Sequence, residues 1–169
     1  MSADVISELK EKLRGISLLE HSIALLEWDQ ETYMPAGGSE SRAAALGEIV
    51  GIKHKRAQDP ALGECLSKAE DLASGSGDLD LQALVREVRY DYEQAIRIPV
   101  PLASQIAESC SQSMAAWKSA KDNDDFAQFA PLLEQQVRLQ SQFADCLQDE
   151  ELCPYDILMN QYERGMTSA

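Results

Sequence analysis

Few residues in this chain could do chemistry, and their spacing limits which chemistry is open to them. There are two histidines, His21 and His54. A helical zinc-protease site needs two histidines at i and i+4 with a glutamate after the first. Both imidazoles then reach one metal, and the carboxylate activates its water. His21 is followed by Ser22 and His54 by Lys55, so neither opens such a motif. A di-iron bundle needs glutamate three residues before histidine on two helices; Leu18 and Gly51 stand at those places. No Gly-x-Ser-x-Gly elbow, P-loop or Gly-x-Gly-x-x-Gly turn is present. Each histidine therefore reads as a structural residue. Carboxylates are abundant, and solvated helix faces account for them. No catalytic, cofactor-binding or metal-ligating residue is assigned on this chain.

The remaining reactive or polar-tipped residues have simple structural readings. Cys65, Cys110, Cys146 and Cys153 are widely spread with no Cys-x-x-Cys pair. They read as reduced thiols, Cys110 and Cys146 buried on apolar helix faces, and not as a zinc or disulfide framework. Trp28 and Trp117 read as core residues whose indole N–H finds a carbonyl or carboxylate, with Asp29 and Gln30 as polar partners near Trp28. Tyr155 and Tyr162 read as interface or core residues. The one basic cluster, Lys53-His54-Lys55-Arg56, reads as charge complementing a helix C-terminus and not as a phosphate site.

Composition narrows the partners. The chain has 169 residues, with 15 Lys and Arg against 29 Asp and Glu, a formal charge of −14. A field of that sign repels phosphate backbones and anionic lipid heads, which argues against nucleic-acid and membrane-surface binding. No apolar run approaches the ~20 residues of a membrane span. Met1-Ser2-Ala3-Asp4-Val5 lacks the basic start and apolar core of a signal peptide, so a cytoplasmic location is expected. The length suits one helical domain over residues 1–169, or a piece of something larger.

Helices must position these residues. Val5, Ile6, Leu9, Leu13, Ile16, Leu19, Ile23 and Leu26 recur at three- and four-residue steps and predict a first helix from about Ala3 to about Tyr33. Gly15 within it marks a bend or a close packing partner. Pro35 and Gly37-Gly38 stop it. Ser39 is the expected N-cap of a second helix whose face is small: Ala43, Leu46, Ile49, Val50. Asp59-Pro60 opens a third, which ends at Ala73-Ser74-Gly75-Ser76-Gly77. A fourth spans about Asp80 to Ile96, before the extended corner Ile98-Pro99-Val100-Pro101. A fifth carries Leu102, Ile106, Cys110, Met114 and Trp117, and a sixth Phe126, Phe129, Leu133, Val137, Phe143 and Leu147, with Pro131 near its start. A last short helix begins at Pro154 and is ended by Gly165. Strand alternation and internal repeats are absent. The expected fold is all-α, an antiparallel array of about six or seven helices.

Four stretches carry a family resemblance. The first is Leu26-Glu27-Trp28-Asp29-Gln30-Glu31-Thr32-Tyr33-Met34-Pro35 with Gly37-Gly38 and Arg42-Ala43. The second is Val85-Arg86-Glu87-Val88-Arg89-Tyr90-Asp91-Tyr92 with Ile98-Pro99 after it. The third is Ala116-Trp117, followed by Asp125-Phe126 and Phe129-Ala130-Pro131; the fourth is Pro154-Tyr155-Asp156 with Tyr162-Glu163 and Gly165-Met166-Thr167. Together and in this order they resemble the N-terminal region of the carboxypeptidase Taq family of zinc metallocarboxypeptidases. Ala36 and Arg164 stand where that family often has proline, both at local turns.

The resemblance implies an all-helical, usually dimeric peptidase that releases C-terminal residues from peptides using a metal-bound water. Its N-terminal helices form one wall or lid of a deep cleft. The family's zinc motif, downstream glutamate ligand and substrate motifs lie beyond the length of this chain, so zinc is expected only in that catalytic part. This chain alone is expected to be inactive, and to expose an apolar patch where the catalytic half docks or through which it self-associates. Peptide substrate is expected only for the full-length enzyme. The alternative is a stand-alone helical interaction module derived from the peptidase half.

Overall fold

The computed structural model describes residues 2–148 and 152–168. Among them are seven α-helices and no strand. They are α1 (Ser2–Thr32), α2 (Ser39–Ala57), α3 (Pro60–Ser74), α4 (Leu79–Arg97), α5 (Val100–Asp122), α6 (Phe126–Cys146) and α7 (Pro154–Met159), with a single 3₁₀ turn at Ala36–Gly38 between the first two.

The boundaries follow from local chemistry. The Asp59 side chain accepts from the Ala61 N–H, and Pro60 takes the first helical position, where no donor is lost. Asp78 accepts from the N–H groups of Asp80 and Leu81 to open α4, and Asp125 accepts from Gln128 to open α6. Pro131 sits in α6 beyond its first turn without ending it. Two expectations fail here. Gly38, not Ser39, caps α2; Ser39 is already helical and its hydroxyl donates back to the Ala36 carbonyl. The last helix stops at Met159, six residues before Gly165. Gly165 instead takes the left-handed conformation in a separate turn, where the Asn160 carboxamide accepts its N–H.

Packing is uneven. Helix α2 lies closest to α5, because its facing positions carry no side chain. A Cβ on Gly47 would stand 3.3 Å from the Ser104 carbonyl, and one on Gly51 would stand 2.4 Å from the Ser104 hydroxyl. Small residues allow this approach, as the small face of α2 suggested. Gly15 does have a close partner, the Arg56 guanidinium, which donates to its carbonyl at 3.3 Å.

Two apolar clusters form. One gathers Leu9, Leu62, Cys65, Leu66 and Val85 from α1, α3 and α4. The other gathers Leu102, Leu139, Leu147 and Ile157 from α5, α6 and α7, with Ile98 of the corner. Leu9 and Leu66 are wholly buried, each stabilising the fold by about 1.5–3 kcal/mol. Helix α5 buries serines on two sides, Ser111 toward α1 and Ser109 and Ser113 toward α6.

The apolar stripes of α5 and α6 are only partly covered. Cys110 is exposed and Cys146 half-buried, against the expectation that both are interior; Cys65 is buried and all four cysteines are free. Trp28 is 57% exposed and Trp117 43%, so neither is the core residue its apolar neighbours suggested. Trp117 instead lies under the Lys121 ammonium, 5.1 Å from its ring centre. Phe126, Leu133 and Val137 also face solvent along α6.

Candidate functional site

The histidines are the first residues to place. His21 is exposed on α1. His54 lies on α2, where its Nε2 donates to the Ile98 carbonyl at 2.7 Å; Gln58 donates to that carbonyl and to Ala95's. The pair thus caps the C-terminal end of α4, where the Ala95 carbonyl also accepts the Ile98 N–H at 3.2 Å. The neighbouring cations do similar work: Lys53 pairs with Glu20 at 3.0 Å, so the basic cluster ties α2 to α1 and α4. Among the described residues, no group of three or more His, Cys, Asp or Glu could hold a metal ion. Zinc needs three protein ligands and an open position. The described residues do not offer such a set.

What the structure does assemble is a joint at the end of α1. Three successive residues leave the helix in three directions. Asp29 receives the Arg42 guanidinium from α2, and the same guanidinium donates to the Leu26 carbonyl. Arg42 is only 15% exposed, while Asp29 remains open to solvent on one side. Gln30 makes a reciprocal pair with Ser111 of α5, its Nε2 donating to the Ser111 carbonyl at 3.0 Å and its Oε1 accepting from the hydroxyl at 2.7 Å. Trp28 points outward and meets Tyr33 edge to face, ring centres 5.4 Å apart. The helix then ends: the N–H groups of Tyr33 and Met34 both reach the Asp29 carbonyl at 2.9 Å, and Pro35 turns the chain extended.

Beside this joint a groove of about 380 Å³ opens between α1, α2 and α5. Leu46, Val50, Ile106 and Met114 give it an apolar floor, and Glu27 and Glu31 stand along its α1 side. Cys110 also faces it; the apolar surroundings, and then the charge of Glu27, hold its thiol above the ordinary range. Behind the groove the seam is closed. Gln136 of α6 donates to the Ser109 hydroxyl at 2.7 Å and to that of Ser113 at 3.1 Å. Sequence reading missed these serines, because hydropathy places them outside. The glutamines that satisfy them lie far away in the chain.

Sequence and structure comparisons agree on this frame. The sequence profile described as "Carboxypeptidase Taq (M32) metallopeptidase" matches residues 8–169. The chain belongs to this family. Thermostable carboxypeptidase 1 of Thermus thermophilus is 35% identical over 152 residues, 85% of this chain and 30% of that protein. Thermostable carboxypeptidase 1 of Pyrococcus furiosus is 30% identical over 167 residues, 96% of this chain and 32% of that protein. The BsuCP crystal structure superposes with a TM-score of 0.91 at 27% identity, over 98% of this chain and 33% of that one. The chain therefore spans about a third of the length of these M32 relatives. None of its helices is long and apolar enough to cross a membrane, among the described residues.

Proposed function

We propose that this chain is the N-terminal helical region, a cleft wall or lid, of an M32 metallocarboxypeptidase, and that it has no hydrolytic activity by itself. The observation that carries this reading is the family match across residues 8–169 at only about a third of the relatives' length. In this reading the chain supplies a preassembled helical frame to a peptidase that removes C-terminal residues from peptides in the cytoplasm, as part of a dimer. Zinc and its ligands belong to the remaining part. The exposed Trp28, Tyr33, Phe126 and Val137 support the reading, since patches of this kind mark surfaces that another body covers.

The test begins with the DNA beyond the codon for Ala169. A frame that continues into an H-E-x-x-H helix supports the reading; a true stop with no catalytic part nearby favours the stand-alone interaction module. The protein assay follows. The purified chain with added zinc is expected to release no amino acid from a blocked dipeptide, and hydrolysis at a measurable rate would overturn the proposal.

A further inference from the structure

The groove beside the joint has a combination of features that the fold itself does not use. Its floor is apolar, formed by Leu46 and Val50 of α2 and Ile106 and Met114 of α5. Its volume lies in the range of pockets that accept a ligand or an anchoring side chain. One edge carries two carboxylates a helical turn apart, Glu27 and Glu31, both exposed and neither in an ion pair among the described residues. Like charges at that spacing destabilise a helix. Three cations of α2 reach α1 and all are engaged elsewhere: Arg42 with Asp29 and the Leu26 carbonyl, Lys53 with Glu20, Arg56 with the Gly15 carbonyl. An apolar slot bordered by two carboxylates without an ion pair is complementary to one kind of guest, an apolar helix face edged with cations.

We infer that this groove seats an amphipathic helix carrying lysine or arginine beside its apolar face, and that the helix is supplied by the part of the peptidase absent from this chain. The inference rests on the proposed function for the identity of the guest. The groove's chemistry stands independently of it. The guest's apolar residues fill the floor over Leu46, Val50 and Ile106. Its cation lies between Glu27 and Glu31 and relieves their repulsion. Cys110, in the groove, is then shielded from solvent.

Two synthetic helical peptides test this. They share one Leu/Ala face, flanked by lysines in one and by glutamates in the other. Binding to the 169-residue chain is read by fluorescence anisotropy, and alkylation of Cys110 and Cys153 by mass spectrometry. The lysine peptide is expected to bind about tenfold more tightly, the effect of two partly screened charge pairs. It is expected to slow alkylation of Cys110 and leave exposed Cys153 unchanged. The double variant Glu27→Gln/Glu31→Gln should lose the preference while keeping its helical circular dichroism. It alters a formal charge of −14 by only two, so a preference that survives it would come from diffuse charge and would overturn the site. Equal binding of the two peptides, or no protection of Cys110, would also overturn it. So would sedimentation showing a dimer whose formation shields Cys110, since a second copy would then be the guest. If Cys110 is protected but no catalytic part follows Ala169, the groove stands and the peptidase reading falls. If the catalytic part exists and Cys110 reacts freely in the presence of the lysine peptide, only the groove falls.

Discussion

Replacing Gly63 by alanine opposes two effects of comparable size, and the structure decides between them. Gly63 is buried at the fourth position of α3, with Tyr92 of α4 lying across it. Helix propensity alone favours alanine over glycine by about 1 kcal/mol. A Cβ at this position, however, would stand 2.5 Å from the Tyr92 hydroxyl oxygen, 2.7 Å from its ring carbon and 3.0 Å from the next. A planar ring cannot yield at one atom, so the whole side chain must swing or α3 and α4 must part. Tyr92 packs against the first apolar cluster and carries Arg89 over its ring at 5.8 Å, so either movement disturbs other contacts. Overpacking of this kind costs about 1–3 kcal/mol, and contact with several ring atoms places it at the upper end. The net expectation is a loss of about 2 kcal/mol, or roughly 4–8 °C in Tm for a chain of this size. Urea titration followed by circular dichroism measures it. The double variant Gly63→Ala/Tyr92→Leu should recover part of the loss, with a coupling of at least ~1 kcal/mol. A Gly63→Ala protein as stable as its parent, or more stable, would refute the claim that ring contact and not backbone freedom selects glycine here.

Three further outcomes are expected. Arg42→Ala leaves the Asp29 carboxylate and the Leu26 carbonyl without their partner. With Asp29 itself 38% exposed, the cost is about 1–2 kcal/mol, and Arg42→Lys should keep part of it; equal urea midpoints for parent and alanine variant would argue against the clamp. Gln136→Leu strands the buried Ser109 and Ser113 hydroxyls at a cost of about 1–3 kcal/mol, while adding Ser109→Ala and Ser113→Ala should restore much of it, because removing both sides of a buried hydrogen bond is nearly neutral. Glu70 accepts two hydrogen bonds from Arg89, which hold its carboxyl below the usual range. A lowered folded-state value means stability that is present above the ordinary glutamate range and lost as pH falls through the folded value. Glu70→Gln should therefore weaken the protein at neutral pH by a few tenths of a kcal/mol, since the pair is partly exposed, and match the parent in acid. A difference that persists unchanged in acid would rule out ionisation as its source.

The helical order was legible because its signals are local. Apolar residues at three- and four-residue steps, Asp59-Pro60 before α3 and the prolines around residue 100 act within one turn of chain. What they cannot report is whether a stripe finds a partner. Trp117, Phe126 and Val137 follow helical spacing as faithfully as Leu9 or Leu102, yet they face water. Only the placement of the other helices separates them. The reverse error has the same cause. Ser109, Ser111 and Ser113 are buried because Gln30 and Gln136 come from α1 and α6 to satisfy them. No window of sequence contains both members of those pairs. The close approach of α2 to α5 was half visible: the small face of α2 was evident, but the role of Gly47 and Gly51 needed Ser104 opposite them.

The joint at the end of α1 shows why exposed aromatic rings and buried polar pairs belong together here. A surface tryptophan on a loose helix end would lose conformational freedom on being covered, and that loss would offset part of the gain. Trp28 stands on a helix end that is already fixed. Asp29 on one side is held by Arg42, and Gln30 on the other by two hydrogen bonds to Ser111. Tyr33 limits the ring further through its edge. Most of the ordering cost is thus met within this chain, by the clamps on Asp29 and Gln30 and the contact between the two rings. Covering the rings then returns nearly the full value of their buried area, about 25 cal/mol per Å². By this reasoning the polar clamps of Asp29 and Gln30 act on whatever covers Trp28 without touching it, and loosening either clamp should weaken that association through disorder of the ring rather than through a lost contact.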